Sequence, residues 1–156
     1  MNGEELRLIM DIKRIESHEI GQVRNLIWNA FNEFVAKDCT VEGINIFRND
    51  LRGDEFFSDI SLYGAYINGE LAGVVGTKMC DSHISLLFVD KRFHSHGIGR
   101  RLVNLVINRC ILPKITVNAS PYAHDFYKKM GFVDYCEMRE VGGVRHYPMV
   151  LNTMTW

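Results

Sequence analysis

Residues 87–100 of this chain are Leu87-Phe88-Val89-Asp90-Lys91-Arg92-Phe93-His94-Ser95-His96-Gly97-Ile98-Gly99-Arg100. The apolar start is typical of a central strand covered on both faces, and the apolar spacing after Gly97 predicts a helix to Arg109. Glycine lets a backbone approach a ligand without a Cβ in the way. The first N–H groups of a helix lack internal partners and lie at the positive end of its macrodipole. A strand, a basic glycine loop and a helix start in this order therefore predict a phosphate-binding turn.

Two common phosphate-binding sequences are absent from this turn. A P-loop needs Gly-x-x-x-x-Gly-Lys-Ser/Thr. A dinucleotide fingerprint needs a third glycine and a tight turn, whereas residues 90–96 separate the strand from Gly97 here. The pyrophosphate of coenzyme A is the remaining candidate. The alternative is a glycine-rich helix start that binds nothing.

Outward from this turn, apolar periodicity predicts the other elements. Strands are expected at 8–15, 61–67, 70–80, 82–89, 114–119, 132–141 and 144–151, with helices after Ser17, after Thr40 and from Pro121 to Gly131. The order β-α-α-β-β-β-α-β-α-β-β predicts a mixed α/β sheet with helices on both faces. No repeat, low-complexity tract or linker interrupts it, so we expect a single domain over residues 1–156.

A second segment gives the turn a context: Asn118-Ala119-Ser120-Pro121-Tyr122-Ala123-His124-Asp125-Phe126-Tyr127-Lys128-Lys129-Met130-Gly131-Phe132. The two segments together resemble the GNAT superfamily of N-acetyltransferases, with its Gln/Arg-x-x-Gly-x-Gly/Ala signature and its Asn…Ala-x-x-Phe-Tyr-x-Lys-x-Gly-Phe element. The resemblance extends over the element order from about residue 10 to 151. It implies a mostly antiparallel sheet with a splayed central pair of parallel strands. His94 departs from the usual Gln or Arg, and Ser95 stands where glycine is common.

The resemblance implies an enzyme that transfers the acetyl group of acetyl-CoA to a primary amine of a small molecule or peptide by direct attack. Acetyl-CoA is then a cosubstrate, and no metal is expected. Main-chain groups of Leu87, Phe88 and Val89 would bind pantetheine as an added strand and polarise the thioester carbonyl. The pyrophosphate would lie against His94, Ser95, His96, Gly97, Ile98, Gly99 and Arg100. Asn118 would reach the pantetheine amides.

Three residues are candidates for proton transfer. Tyr127 matches the tyrosine that the family keeps to protonate the departing thiolate, and a phenol with a pKa near 10 stays protonated at neutral pH. The amine must lose a proton before it attacks, and His83 and then Glu33 are the candidate bases. Each has a structural alternative: a packing aromatic for Tyr127, a strand-end histidine for His83 and a solvated helix residue for Glu33.

A second class of function fits the same residues. A catalytically silent acyl-CoA sensor would keep the glycine loop and bind the ligand without transfer. A nucleotide-dependent oxidoreductase is a more remote alternative.

Charge and composition restrict the partners. The net charge of −1 argues against a nucleic-acid protein. Despite this low net charge, residues 91–101 form a basic segment and residues 38–59 form an acidic segment. The acidic segment suggests that the amine acceptor is cationic. No apolar run reaches the roughly 18–20 residues of a membrane span, and the acidic N-terminus lacks a secretion signal, so we expect a cytoplasmic protein.

Four scattered cysteines, without a Cys-x-x-Cys pair, indicate reduced thiols rather than disulfides or a zinc site. Dimers are common in the family that the chain resembles, so a homodimer is possible.

Overall fold

A sheet of eight strands organises the chain, and its strand order is β1-β2-β3-β4-β5-β8-β6, with β7 paired to β8. The structure, a computed structural model, describes residues 9–154. The strands are β1 (Met10–Arg14), β2 (Ser61–Ile67), β3 (Glu70–Lys78), β4 (His83–Val89), β5 (Lys114–Ala119), β6 (Val133–Asp134), β7 (Arg139–Val141) and β8 (Val144–Asn152). The helices are α1 (Ile20–Phe34), α2 (Val41–Arg52), α3 (Ile98–Arg109) and α4 (His124–Lys129), with short 3-10 turns at Ser17–Glu19, Ala36–Asp38 and Lys91–Phe93. The predicted mixed sheet is confirmed.

The parallel pair β4–β5 separates almost as soon as it forms. Only His83↔Thr116 and Ile84↔Val117 are paired between these two strands, whereas β4 stays paired with β3 as far as Val89. The β3–β4 register shifts where Ser85 is inserted, and such a bulge bends its strand. From Ser85 onward one edge of β4 therefore has no strand partner, which confirms the predicted splay.

Two hydrophobic clusters lie on the two faces of the sheet. Val23, Leu26 and Ile27 of α1 pack with Leu86 of β4 in one cluster, which Leu51 of α2 joins. The other contains Ile84 of β4 together with Ile98, Leu102, Val103 and Val106 of α3 and Tyr127 of α4. Since successive side chains of a strand point to opposite faces, β4 is covered on both sides, as its apolar sequence predicts.

Several predicted boundaries were wrong. The expected strand 132–141 is two short strands, β6 and β7, because the chain leaves the sheet between them. Helix α4 begins at His124, three residues after Pro121. Ser17 lies inside a 3-10 turn, and Glu16 precedes that turn as its N-cap. Leu8, the expected start of the first strand, lies outside the described residues.

Within residues 9–154, no helix has the length and apolar character that crossing a membrane needs.

A backbone contact fixes the β7–β8 hairpin against α2. Thr40 caps α2, as predicted, by accepting a hydrogen bond of 3.0 Å from the Gly43 N–H, and its own N–H donates to the Gly143 carbonyl at 3.0 Å. A Cβ on Gly43 would lie 2.6 Å from the Gly143 oxygen, which is closer than real Cβ contacts. The hairpin and the start of α2 therefore meet at a place where only glycine fits.

We expect Gly43→Ala to lower the free energy of unfolding by about 1–3 kcal/mol, because the added methyl must displace the Gly143 backbone. Gly21→Ala is the matched control: it lies in the first turn of α1, and its Cβ would meet nothing within 4 Å. It should be neutral or stabilise by up to about 1 kcal/mol. Urea unfolding measures both, and a Gly43→Ala variant as stable as the parent would contradict a rigid contact.

Candidate active site

A cavity of about 490 Å³ lies between the open edge of β4, the start of α3 and the end of α1. Leu87, Phe88 and Val89 of β4 line it together with every residue of 94–100 except His96. Aromatic side chains from three other segments complete the wall: Phe34, Phe93, Tyr122 and Phe126. The structure thus brings most of the predicted coenzyme-binding residues to one surface.

The backbone of the turn bends through left-handed conformations. Ser95 and Gly97 both have φ of +72°, and Gly97 is the N-cap of α3. Left-handed residues in such a turn aim N–H groups at a common point and form an anion-binding concavity. A Cβ on Gly97 would meet nothing within 4 Å, so glycine is favoured here by conformation and not by lack of space. Ser95 holds the same conformation at a cost of about 1–2 kcal/mol.

The side chain of His94 is fixed by a hydrogen bond and by ring stacking. Its Nε2 lies 3.1 Å from the Val89 carbonyl oxygen, and its ring stacks on Phe34 with 4.5 Å between centroids. Phe34 also stacks on Tyr122 at 4.7 Å. The histidine that replaces the family's Gln or Arg therefore forms part of an aromatic bridge from α1 to the segment before α4. His96 is exposed and does not line this cavity.

The cations of the basic segment differ in their partners. Lys91 pairs with Glu33 at 2.7 Å, and Arg92 pairs with Glu70 at 2.6 Å and with Asp90 at 2.9 Å. Within residues 9–154, Arg100 and Arg101 form no ion pair. Since Arg100 also lines the cavity, it is available to an anion there.

A second cavity, of about 260 Å³, opens where β4 and β5 separate. It is lined from the sheet by Leu86 and Asn118, from α4 by Tyr127 and from β8 by Arg145 and His146. Five residues line both cavities: Val35, Leu87, Phe88, Ser120 and Ala123. The two cavities therefore meet along β4. Asn118, expected beside the pantetheine, lies on the wall of the second cavity only.

Tyr127 has a buried ring that reaches the second cavity. The side chain is 3% exposed and packs edge-on against Phe126 and Phe132, with centroid distances of 5.1 and 5.2 Å. Burial raises the pKa of its hydroxyl above the ordinary value, so the group is protonated at neutral pH. No hydrogen bond from the described residues engages that hydroxyl. The geometry accommodates a proton donor at the cavity wall.

The two candidate bases are not on the walls of these two cavities. The His83 Nδ1 is 2.8 Å from the Thr116 hydroxyl oxygen, and burial, with a contribution from Lys78, lowers the pKa of His83. The Glu33 carboxylate is engaged by Lys91. Neither residue lines a cavity. His146, which the sequence analysis missed, does line the second one; a single histidine in a strand forms no pattern that would have revealed it.

The acidic segment also lies apart from the cavity walls. Asp38, Glu42, Asp50, Asp54, Glu55 and Asp59 line neither cavity, and all but the half-buried Asp38 are exposed. The charge asymmetry of the sequence therefore brings no carboxylate to the site. A cationic acceptor stays a prediction without support from these walls.

The sequence profile of the acetyltransferase (GNAT) domain matches residues 35–153. The chain belongs to the GNAT superfamily of acetyltransferases. No curated protein matches it in sequence.

Solved structures of the same fold resemble the chain over nearly its whole length. A GCN5-related N-acetyltransferase from Rhodopseudomonas palustris has a TM-score of 0.77 at 18% identity, covering 93% of this chain and 98% of that one. The PaiA N-acetyltransferase of Thermoplasma acidophilum, solved with coenzyme A, has 0.67 at 15%, covering 93% and 99%. A GNAT-family acetyltransferase from Staphylococcus aureus has 0.69 at 19%, covering 94% and 100%. At these identities the likeness shows the fold alone.

The half-buried imidazole of His83 should make the stability of the protein depend on pH. The pKa of His83 in the folded protein is lowered below the unfolded value near 6.5. As pH falls through and below about 6.5, the unfolded chain therefore binds a proton at His83 more readily than the folded protein does, and the free energy of unfolding decreases. In His83→Asn the titrating group is gone, while an amide can still bond to Thr116. Relative to this variant, the parent should lose unfolding free energy between about pH 7 and pH 5. Urea titrations measure the free energy of unfolding of both proteins. If the difference between them does not change with pH, the pKa of His83 is not lowered by folding.

Proposed function

We propose that this protein transfers the acetyl group of acetyl-CoA to a primary amine by direct attack. The observation that carries the proposal is the junction of two cavities along the open edge of β4, one ending at the left-handed turn of 95–97 and the other at Tyr127. An acyl carrier and an acceptor bound in these cavities would meet beside Leu87 and Phe88. The PaiA N-acetyltransferase of the same fold, solved with coenzyme A, supports coenzyme A as the acyl carrier.

The residues of the first cavity fit coenzyme A. Pantetheine carries amides, and the unpaired edge of β4 offers main-chain donors and acceptors that an added strand would satisfy. The turn at Ser95 and Gly97 offers N–H groups, and Arg100 adds a cation for the pyrophosphate. While Nε2 of a neutral His94 donates to the Val89 carbonyl, the ring has no second N–H to offer a phosphate, so His94 forms part of the groove wall.

The chain's own groups would supply three functions. A main-chain N–H of β4 would stabilise negative charge on the thioester oxygen during attack, as oxyanion holes do. The hydroxyl of Tyr127 would donate its proton to the leaving sulfur. A base must accept the proton of the amine; His83 and Glu33 would act only through water, because neither reaches a cavity wall. His146, on the wall of the second cavity, joins them as a candidate base.

Acetyl-CoA should raise the melting temperature, because a ligand that binds only the folded state stabilises it by mass action, by about 2.7 kcal/mol at 100 times Kd. We expect Gly97→Glu and Gly99→Glu to abolish the shift, since each places a carboxylate against the phosphates.

Gly69→Glu controls for the strain of a side chain at a positive φ. Gly69 has φ of +83° and open space around its Cβ, as Gly97 does at +72°, but it lies in the β2–β3 turn. This variant should keep the full shift. Folded glycine-loop variants that bind acetyl-CoA normally by calorimetry would place the site elsewhere.

Removing the hydroxyl of Tyr127 tests the chemistry. Tyr127→Phe should lower kcat at least about tenfold and up to the roughly 10²–10⁴-fold that general acid catalysis typically contributes, while acetyl-CoA affinity and melting temperature hardly change. Thiol release from acetyl-CoA, measured with an amine panel, gives kcat. A folded parent protein that binds acetyl-CoA and releases no thiol with any amine would be the silent sensor. An unchanged kcat with lowered stability would make Tyr127 a packing residue.

A further inference from the structure

The second cavity has an aromatic wall. Phe31, Phe47, Phe56 and Phe88 line it. Phe47 stands among the other three, with ring centroids 4.1 Å from Phe31, 6.1 Å from Phe56 and 6.5 Å from Phe88. The rings come from α1, α2, the segment after α2 and β4, so packing holds them in place from several directions. A flat or branched apolar group would fill this part of the cavity and lose its contact with water.

The charge on the cavity wall is positive. Arg145 lines the cavity, and no aspartate or glutamate is among the described residues that do so. Glu140 is the cross-strand partner of Arg145 in the β7–β8 hairpin. Even so, within residues 9–154 no carboxylate oxygen lies within 4.0 Å of the Arg145 guanidinium nitrogens. Arg145 is exposed, so its guanidinium donors are hydrated in the free protein and can turn to a carboxylate that enters the cavity.

These walls discriminate between kinds of amine. A second cationic group on the acceptor would lose hydration against the phenylalanine rings and find no carboxylate among the described lining residues, which is unfavourable. A carboxylate would meet a planar fork of donors that suits it bidentately. The volume of about 260 Å³ is below the roughly 300–1,000 Å³ of pockets for drug-sized ligands, which favours a small acceptor.

We propose that the acceptor is a small primary amine that carries both a carboxylate and an apolar body, as an apolar amino acid does. Its carboxylate binds Arg145, its body packs on the phenylalanine wall, and its amine faces the junction of the two cavities near Phe88. This inference rests on the proposed function, since it names the acceptor of that same site. It replaces the cationic acceptor that the acidic segment suggested.

The test compares matched acceptors that differ in one group. Thiol release from acetyl-CoA is measured with L-phenylalanine and L-leucine, with their amides, and with cadaverine and spermidine. The amino acids should exceed their amides in kcat/KM by about tenfold or more, the size expected for a hydrogen-bonded charge pair. The polyamines should be the poorest substrates.

Arg145→Gln should reduce the ratio of kcat/KM between each amino acid and its amide by about tenfold, mainly through KM. Arg139→Gln is the control: Arg139 is, like Arg145, an exposed arginine of the same hairpin, but it lines neither cavity, so this variant should keep the parental ratio. A preference for polyamines, or an unchanged ratio in Arg145→Gln, would overturn the inference.

A binding measurement separates this inference from the proposed function. In the presence of coenzyme A, N-acetylphenylalanine should raise the melting temperature more than N-acetylphenylalaninamide does, and Arg145→Gln should remove the difference. If the parent releases no thiol with any amine, the proposed transfer fails, and this comparison still tests the chemistry of the cavity. Equal shifts for the two ligands in the parent would overturn the inference whether or not transfer occurs.

Discussion

The separation of β4 from β5 after two residue pairs is the constraint on which the site depends. Backbone N–H and C=O groups inside a protein need partners, and a strand in the centre of a sheet would normally find them on both sides. Here the apolar residues of β4 keep it buried between two hydrophobic clusters while the bulge at Ser85 bends it away. The resulting edge lines the two cavities, where a ligand can reach the half-buried residues Leu87, Phe88 and Val89.

The two cavities at this edge are built by different kinds of structure. The first is built largely from consecutive residues of a strand, a turn and a helix start, so local conformation determines most of its shape. The second is assembled from segments distant in sequence, including α1, α2 and the β7–β8 hairpin, which the contact of Gly43 with Gly143 holds in register. A change in α2 or in the β7–β8 hairpin alters the second cavity without contacting the turn at Ser95 and Gly97, whereas α1 contributes to both cavities and stacks Phe34 on His94.

This difference explains what could be predicted from the sequence. The turn at Gly97, the cap at Thr40 and the apolar run of β4 are local signals, and each corresponds to the structure. The carboxylates of the acidic segment line neither cavity, because charge along the chain does not determine which face a side chain occupies, so the cationic acceptor stays a prediction. Arg145 and His146 reach the second cavity through the pairing of β8 with β5 and β7, a long-range arrangement that no short motif encodes. His83 was chosen for its position on β4, but its ring is bonded to Thr116 and lies off the cavity walls.

Five residues, Val35, Leu87, Phe88, Ser120 and Ala123, belong to the walls of both cavities. Two ligands that contact the same residues can influence each other. If one ligand changes the affinity for the second by some factor, the second changes the affinity for the first by the same factor. A substitution at Val35 would act on both affinities at once, whereas one at Arg145 or Arg100 touches a single cavity. Under the proposed function, a change at Arg145 would alter which acceptors bind and leave acetyl-CoA binding unchanged, whereas a change at a shared residue would alter the binding of both ligands.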